Sequence, residues 1–205
     1  MTKSYLIATN DVVDETIVSR SRFICYLKPC DSSEKAKEII KTIQEQHPQA
    51  NHHCYAFVTG AAQNSQGYGF SDDGEPSGTA GRPMLAVLQG SGIGQVCAVV
   101  VRYFGGTKLG TGGLQRAYGG SVRQALTFLQ SKTKIAMVHK RLACQYSQVN
   151  DILHLLAMVE GEVISQEYQQ AVEFELAIPW DKVESFQQQL QTMSSGQLVL
   201  SKESE

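Results

Sequence analysis

Six consecutive apolar residues, Val96 to Val101, set the strongest limit on what this chain can become. A run of that length is too short to span a bilayer. It lacks the apolar/polar alternation of a half-exposed strand, so "QVCAVVVRYF" (95–104) reads as a strand buried on both faces. Arg102 closes the run. A guanidinium at the end of a buried strand needs a partner, either an internal acid such as Asp72 or Asp73 or an external anion.

The segments around this strand predict a mixed α+β chain. Residues 10–18 and 22–28 read as strands. A helix follows, with Asp31 and Glu34 as a capping box, Ala36, Ile39, Ile40 and Ile43 at helical spacing, and Pro48 closing it. Residues 52–60 read as a strand, and Pro83 suits the first turn of a short helix. Leu114, Ala117, Tyr118, Val122, Ala125, Leu126 and Leu129 mark one face of a long helix, with Arg116 and Arg123 on the other. From residue 134 onward the order is strand 134–145, helix 148–159, strand 162–168, strand 171–178, helix 182–193, strand 197–201. That is the βαββαβ, ferredoxin-like plan. Ser147 and Asp181 are its expected helix caps and Gly161 a helix stop.

Charge divides the chain at the same place. Residues 1–132 carry 13 Lys and Arg against 10 Asp and Glu, and residues 133–205 carry 5 against 10. We therefore expect domains at 1–132 and 133–205, joined at "SKTK" (131–134). The front domain, at +3, is the better candidate for nucleic acid, although that is far from the strongly basic balance such binding usually shows. The first fifteen residues turn polar and acidic before any apolar core, so no signal peptide is expected. Five cysteines, odd in number and without a CxxC pair, favour reduced buried thiols in the cytoplasm over disulfides or zinc. Oligomeric state is not readable from these patterns.

Two stretches carry the unusual chemistry. "FSDDGEPSGTAGRP" (70–83) holds three acids, Asp72, Asp73 and Glu75, among glycines and prolines. Such a loop is either a tight turn, selected for its dihedrals, or a binding surface, and its carboxylates are also of the type that holds Mg²⁺. "VRYFGGTKLGTGGL" (101–114) enters the long helix, so Lys108 and the amides near Gly112 and Gly113 can face an anion. It is not a P-loop, because position 111 is Thr. Gly119 and Gly120 inside the helix each cost about 1 kcal/mol relative to Ala, which points to a close neighbour there. His52 and His53 point to opposite faces of a strand and do not make a zinc pair. No local motif assembles a nucleophile with a base, and neither a cofactor nor a metal site is expected. The candidate binding residues are Asp72, Asp73, Glu75, Arg102, Tyr103, Gly105, Gly106, Lys108, Gly112, Gly113 and Arg116. Catalytic residues are unassigned.

The span "GRPMLAVLQGSGIGQVCAVVVRYFGGTKLGTGGL", preceded by "HHCYAF" and "GFSDDGEPSGTAG", closely resembles the IMPACT family, in particular its bacterial YigZ branch. The R-Y/F-Y/F-G-G-x-x-L-G signature stands here as Arg102 to Gly110. The resemblance covers essentially the whole chain. It implies a front domain with the fold of domain 2 of ribosomal protein S5 and a back domain similar to the ferredoxin-like domain V of elongation factor G. It also implies a translation-associated binding protein that contacts RNA, the ribosome or a translation factor. Eukaryotic relatives are translation regulators that carry a further N-terminal module, which this sequence does not show. An enzyme acting on a phosphorylated small molecule at the glycine-rich loop is the alternative.

Overall fold

Successive side chains of the apolar strand go to opposite faces. Val96, Ala98 and Val100 enter one hydrophobic core, and Cys97, Val99 and Val101 enter another, all fully buried. A strand sandwiched this way must lie at the centre of a sheet. The computed structural model describes residues 4–63 and 67–201, which form two units: Tyr5–Lys134, and Ser4 with residues 135–201.

The first unit contains, in order, β1 (Tyr5–Ala8), β2 (Val12–Val18), β3 (Ser21–Pro29), α1 (Ser33–Gln46), β4 (His52–Val58), β5 (Tyr68–Ser71), α2 (Gly81–Ser91), β6 (Ile93–Gly94), β7 (Val96–Tyr103), α3 (Gly110–Leu126) and β8 (Ser131–Lys134). Five of the strands make an antiparallel sheet in the order β2-β3-β7-β4-β5. α1 covers one face through Ala36, Ile39, Ile40 and Ile43, and α2 and α3 cover the other. Each of those isoleucines contributes about 1.5–3 kcal/mol by leaving water. Ser32, not Asp31, starts α1. It is the extended residue next to the first turn, and its Oγ accepts from the Lys35 N–H at 3.1 Å.

A second, three-stranded sheet, β6-β1-β8, is absent from the sequence reading. Its outer strand β8 is the "SKTK" stretch expected to be a junction. All four of its residues are exposed, so no hydrophobic pattern marks it. Its register, Tyr5 opposite Lys134 to Ala8 opposite Ser131, comes from backbone pairing with the far end of the unit.

The second unit is α+β in the ferredoxin-like manner: β9 (Met137–Cys144), α4 (Val149–Met158), β10 (Glu162–Tyr168), β11 (Val172–Pro179) and α5 (Val183–Met193), with strand order β10-β11-β9. Val172, Phe174, Leu176 and Ile178 of β11 pack with Ile152, Leu156, Phe186 and Leu190 of the helices. The expected last strand, 197–201, does not form a ladder. Leu198 and Leu200 are buried, but among the described residues a single backbone bond, from the Ser201 N–H to the Arg141 carbonyl (2.9 Å), joins the segment to β9. The expected caps also shift by a residue or more. Ser147 and Asp181 lie within short 3-10 turns ahead of the helices, and Gln145 and Gln148 form a reciprocal capping box there. At the end of α4 the left-handed residue is Glu160 (φ +57°). Gly161 donates to the Leu156 carbonyl at 2.9 Å, where a Cβ would strike the Leu156 side chain. Among the described residues no helix is long and apolar enough to cross a membrane.

Candidate functional site

Strand parity decides where the arginine goes. Arg102 shares the face of Ala98 and Val100 and so turns toward α3, while Tyr103 turns to the α1 face. Directly opposite Arg102 on the two neighbouring strands stand Phe23 of β3 and His52 of β4. Arg102 is 5 % exposed. Its Nη1 donates to Glu75 Oε1 at 2.5 Å, its Nη2 lies 3.4 Å from Ser21 Oγ, and its guanidinium carbon stands 5.4 Å and 5.5 Å from the ring centres of Phe23 and Phe104.

Glu75 gathers the rest of the cluster. The same Oε1 accepts from the Tyr118 hydroxyl at 2.8 Å, and His52 Nε2 lies 3.8 Å away. His52 Nδ1 sits 2.8 Å from the Asp73 carbonyl, which can only accept, so Nδ1 carries the proton. Burial, Cys54 and Glu75 together push the Tyr118 hydroxyl far above its ordinary pKa, so it remains a donor.

The other two acids do not reach Arg102, contrary to the expectation that they share its countercharge. Asp72 turns back along its own loop. Its Oδ2 accepts from Gly78 N–H at 2.8 Å, and its Oδ1 accepts from Ala80 and Gly81 N–H at 2.9 and 2.8 Å. It thereby caps α2, whose formal N-cap, Ala80, has no side chain able to do so. Burial alone would raise the Asp72 carboxyl, but the three backbone bonds outweigh it and hold the group below its ordinary value. Asp73, in the left-handed region at φ +40°, accepts from the His53 backbone N–H at 2.5 Å and fixes the loop to β4. The three carboxylates diverge. Among the described residues no group of three or more His, Cys, Asp or Glu side chains is placed to hold a metal ion.

The glycine-rich stretch has two roles in the backbone. A Cβ on Gly105 would collide with the Arg20 backbone, and its N–H donates to Ser21 Oγ at 3.1 Å; Gly106 takes φ +86°. Lys108 is exposed, Gly112 and Gly113 lie in the first turn of α3, and Arg116 is exposed one turn later. The structure thus joins Glu75 and Arg102 in a buried clamp, places Lys108 and Arg116 outside it, and sends Tyr103 elsewhere, to a 2.9 Å contact with His47 Nδ1. Ser21, His52 and Tyr118 were missed as cluster members. The sequence did carry one signal, because a tyrosine on the buried face of a helix needs a partner for its hydroxyl.

All five cysteines are buried free thiols. Burial pushes Cys54 up to about 12 and Cys25 higher still, whereas a hydrogen bond with Cys97 pulls Cys30 down. Cys30 is expected to react first with an aromatic disulfide reagent in the native protein, the other four only on unfolding. Equal rates for all five would contradict this ordering.

Residues 19–126 match the Impact N-terminal domain, and residues 142–197 match a domain of unknown function, DUF1949. The chain is 46 % identical over 198 residues to IMPACT family member YigZ of Escherichia coli, covering 97 % of each chain. It is 36 % identical to IMPACT family member YvyE of Bacillus subtilis, over 96 % of this chain and 89 % of that one. A solved structure described as a hypothetical protein aligns over 100 % of both chains, with a TM-score of 0.73 and 45 % identity.

Proposed function

From the premise that this chain belongs to the IMPACT family, we propose that it is a translation-associated regulatory or binding protein whose N-terminal domain contacts RNA, the ribosome or a translation factor. Family membership supports the translation-related part. The observation that carries the rest is the charge of one layer. α2 and α3 contain Arg82, Arg116 and Arg123 and no acid, and Lys108 precedes α3, whereas α1 on the opposite face mixes Glu34, Glu38 and Glu45 with Lys35, Lys37 and Lys41. Lys108, Arg116 and Arg123 are exposed, and none forms an ion pair with a described residue. Glu75 and Arg102, by contrast, spend their charges on each other inside the fold.

Lys108→Ala is the direct test. Its side chain is exposed, so the melting temperature should stay within about 2 °C, a surface effect of under about 0.5 kcal/mol. Cosedimentation with ribosomes should weaken, more at low salt than at high. Identical cosedimentation of wild type and variant across the salt series would remove Lys108 from the contact. A thermal-shift panel of nucleotides and phosphorylated metabolites tests the enzymatic alternative. A ligand at a hundred times its Kd stabilises by about 2.7 kcal/mol, and such a hit would favour that alternative.

A further inference from the structure

Between α2 and α3 runs an open furrow of about 870 Å³. Its floor includes Pro83, Val87 and Leu126, and Arg116 and Arg123 stand along it with no carboxylate among the lining residues. Three glycines, Gly90, Gly119 and Gly120, are also part of its lining. The fold does not require them. A Cβ on Gly90 or Gly120 would meet nothing within 4 Å, and one on Gly119 would make only ordinary contact with Val87 and Pro83, at 3.6–3.8 Å. Neither Gly119 nor Gly120 has a positive φ. Each costs the helix about 1 kcal/mol relative to Ala, and nothing inside the domain compensates.

We propose that this furrow is the docking site for an amphipathic, acidic α-helix of a partner protein. The spacing is that of a helical seam. Gly112, Arg116, Gly119 with Gly120, and Arg123 recur every three or four residues along one side of α3, which is the periodicity a second helix presents when it runs alongside. Bare glycine positions let helix axes approach closely, toward the short end of the 8–10 Å range. Arg116 and Arg123, seven residues and about 10.5 Å apart along the axis, match acids one heptad apart on the incoming helix. The observations favour a helix over a nucleic-acid backbone. The amides of Gly119 and Gly120, in the interior of α3, are already used by the helix's own hydrogen bonds, so exposing them there gives a phosphate no donor. The apolar floor rewards methyl groups rather than ribose. Arg116 and Arg123 belong to the same basic layer that supports the proposed RNA or ribosome contact, whereas Lys108 is not among the residues lining the furrow.

The probe is a fluorescein-labelled helical peptide of three heptads with glutamate at one heptad position and alanine and leucine beside it, titrated against the full-length protein. Binding is expected, weakened about tenfold or more both by Arg116→Glu with Arg123→Glu and by Gly120→Leu, which fills the furrow. Lys108→Ala should not weaken it, which separates this site from the ribosome contact. Gly120→Ala checks the premise independently: removing a helix glycine that touches nothing should raise the melting temperature by a few degrees. Absence of peptide binding, affinity unchanged in the charge-reversal and Gly120→Leu variants, or a lower melting temperature for Gly120→Ala would each overturn the proposal. So would displacement of the peptide by a random RNA oligonucleotide with the same arginine dependence, or self-association of the protein through the same residues.

Discussion

Arg102→Ala is expected to lower the melting temperature of the N-terminal domain by roughly 10–20 °C, the largest effect of any single substitution considered. The side chains of Arg102 and Glu75 are 6 % and 4 % exposed, so deleting one leaves the other charge buried. Breaking a buried pair from one side costs about 3–5 kcal/mol, well beyond the 0–1 kcal/mol of an exposed pair such as Arg22 with Glu15. In a domain of this size that converts to the stated shift. Glu75 would keep the Tyr118 hydroxyl, but one neutral donor does not neutralise a carboxylate. The double variant Arg102→Met with Glu75→Gln should recover much of the loss, because it leaves no uncompensated charge. An unchanged melting temperature for Arg102→Ala would show that the pair does not hold the loop to the sheet.

How much of this was legible in the sequence depends on whether the deciding contact is local. β7 was legible because six apolar residues without alternation have few other uses, and Arg102 at its end announced a need for a partner. Which acid would answer was not legible. The direction of each carboxylate depends on the turn itself, on the Glu75 N–H bonded to the Asp72 carbonyl at 2.9 Å and on the left-handed Asp73. Once those are set, Asp72 points back to α2 and Glu75 points under α3. The small sheet was illegible for a related reason. β1, β6 and β8 are two to four residues long, and β8 buries nothing, so only pairing between distant segments defines them. The last segment of the chain misled in the opposite sense. Leu198 and Leu200 alternate as a strand should and are buried, yet the backbone makes too few bonds to β9 to count as a fourth strand.

Asp72→Ala is expected to cost about 2–4 kcal/mol at neutral pH, the second largest effect, for a reason distinct from the arginine clamp. Three N–H groups, of Gly78, Ala80 and Gly81, lose one charged acceptor together, and α2 has no other side-chain cap. Loss of a cap alone is worth about 0.5–2 kcal/mol, and hydrogen bonds to a charged group about 1.5–3 kcal/mol, so the combined cost lies above the usual range for a cap. Asp72→Asn should fall between wild type and alanine. Its oxygen can still accept from Ala80 and Gly81, but its amide presents hydrogens to the Gly78 N–H. The effect must also depend on pH, with a defined sign. The folded carboxyl lies below its ordinary value of about 3.9, so its stabilisation is fully present above that pH and is lost as pH falls through the folded pKa. The stability gap between wild type and Asp72→Asn should therefore be constant from pH 7 to about pH 5 and narrow progressively below pH 4, as read by urea melts. A gap of the same size at pH 7 and pH 3 would mean that the carboxylate charge, as opposed to the shape of the cap, contributes nothing to holding α2 against the loop.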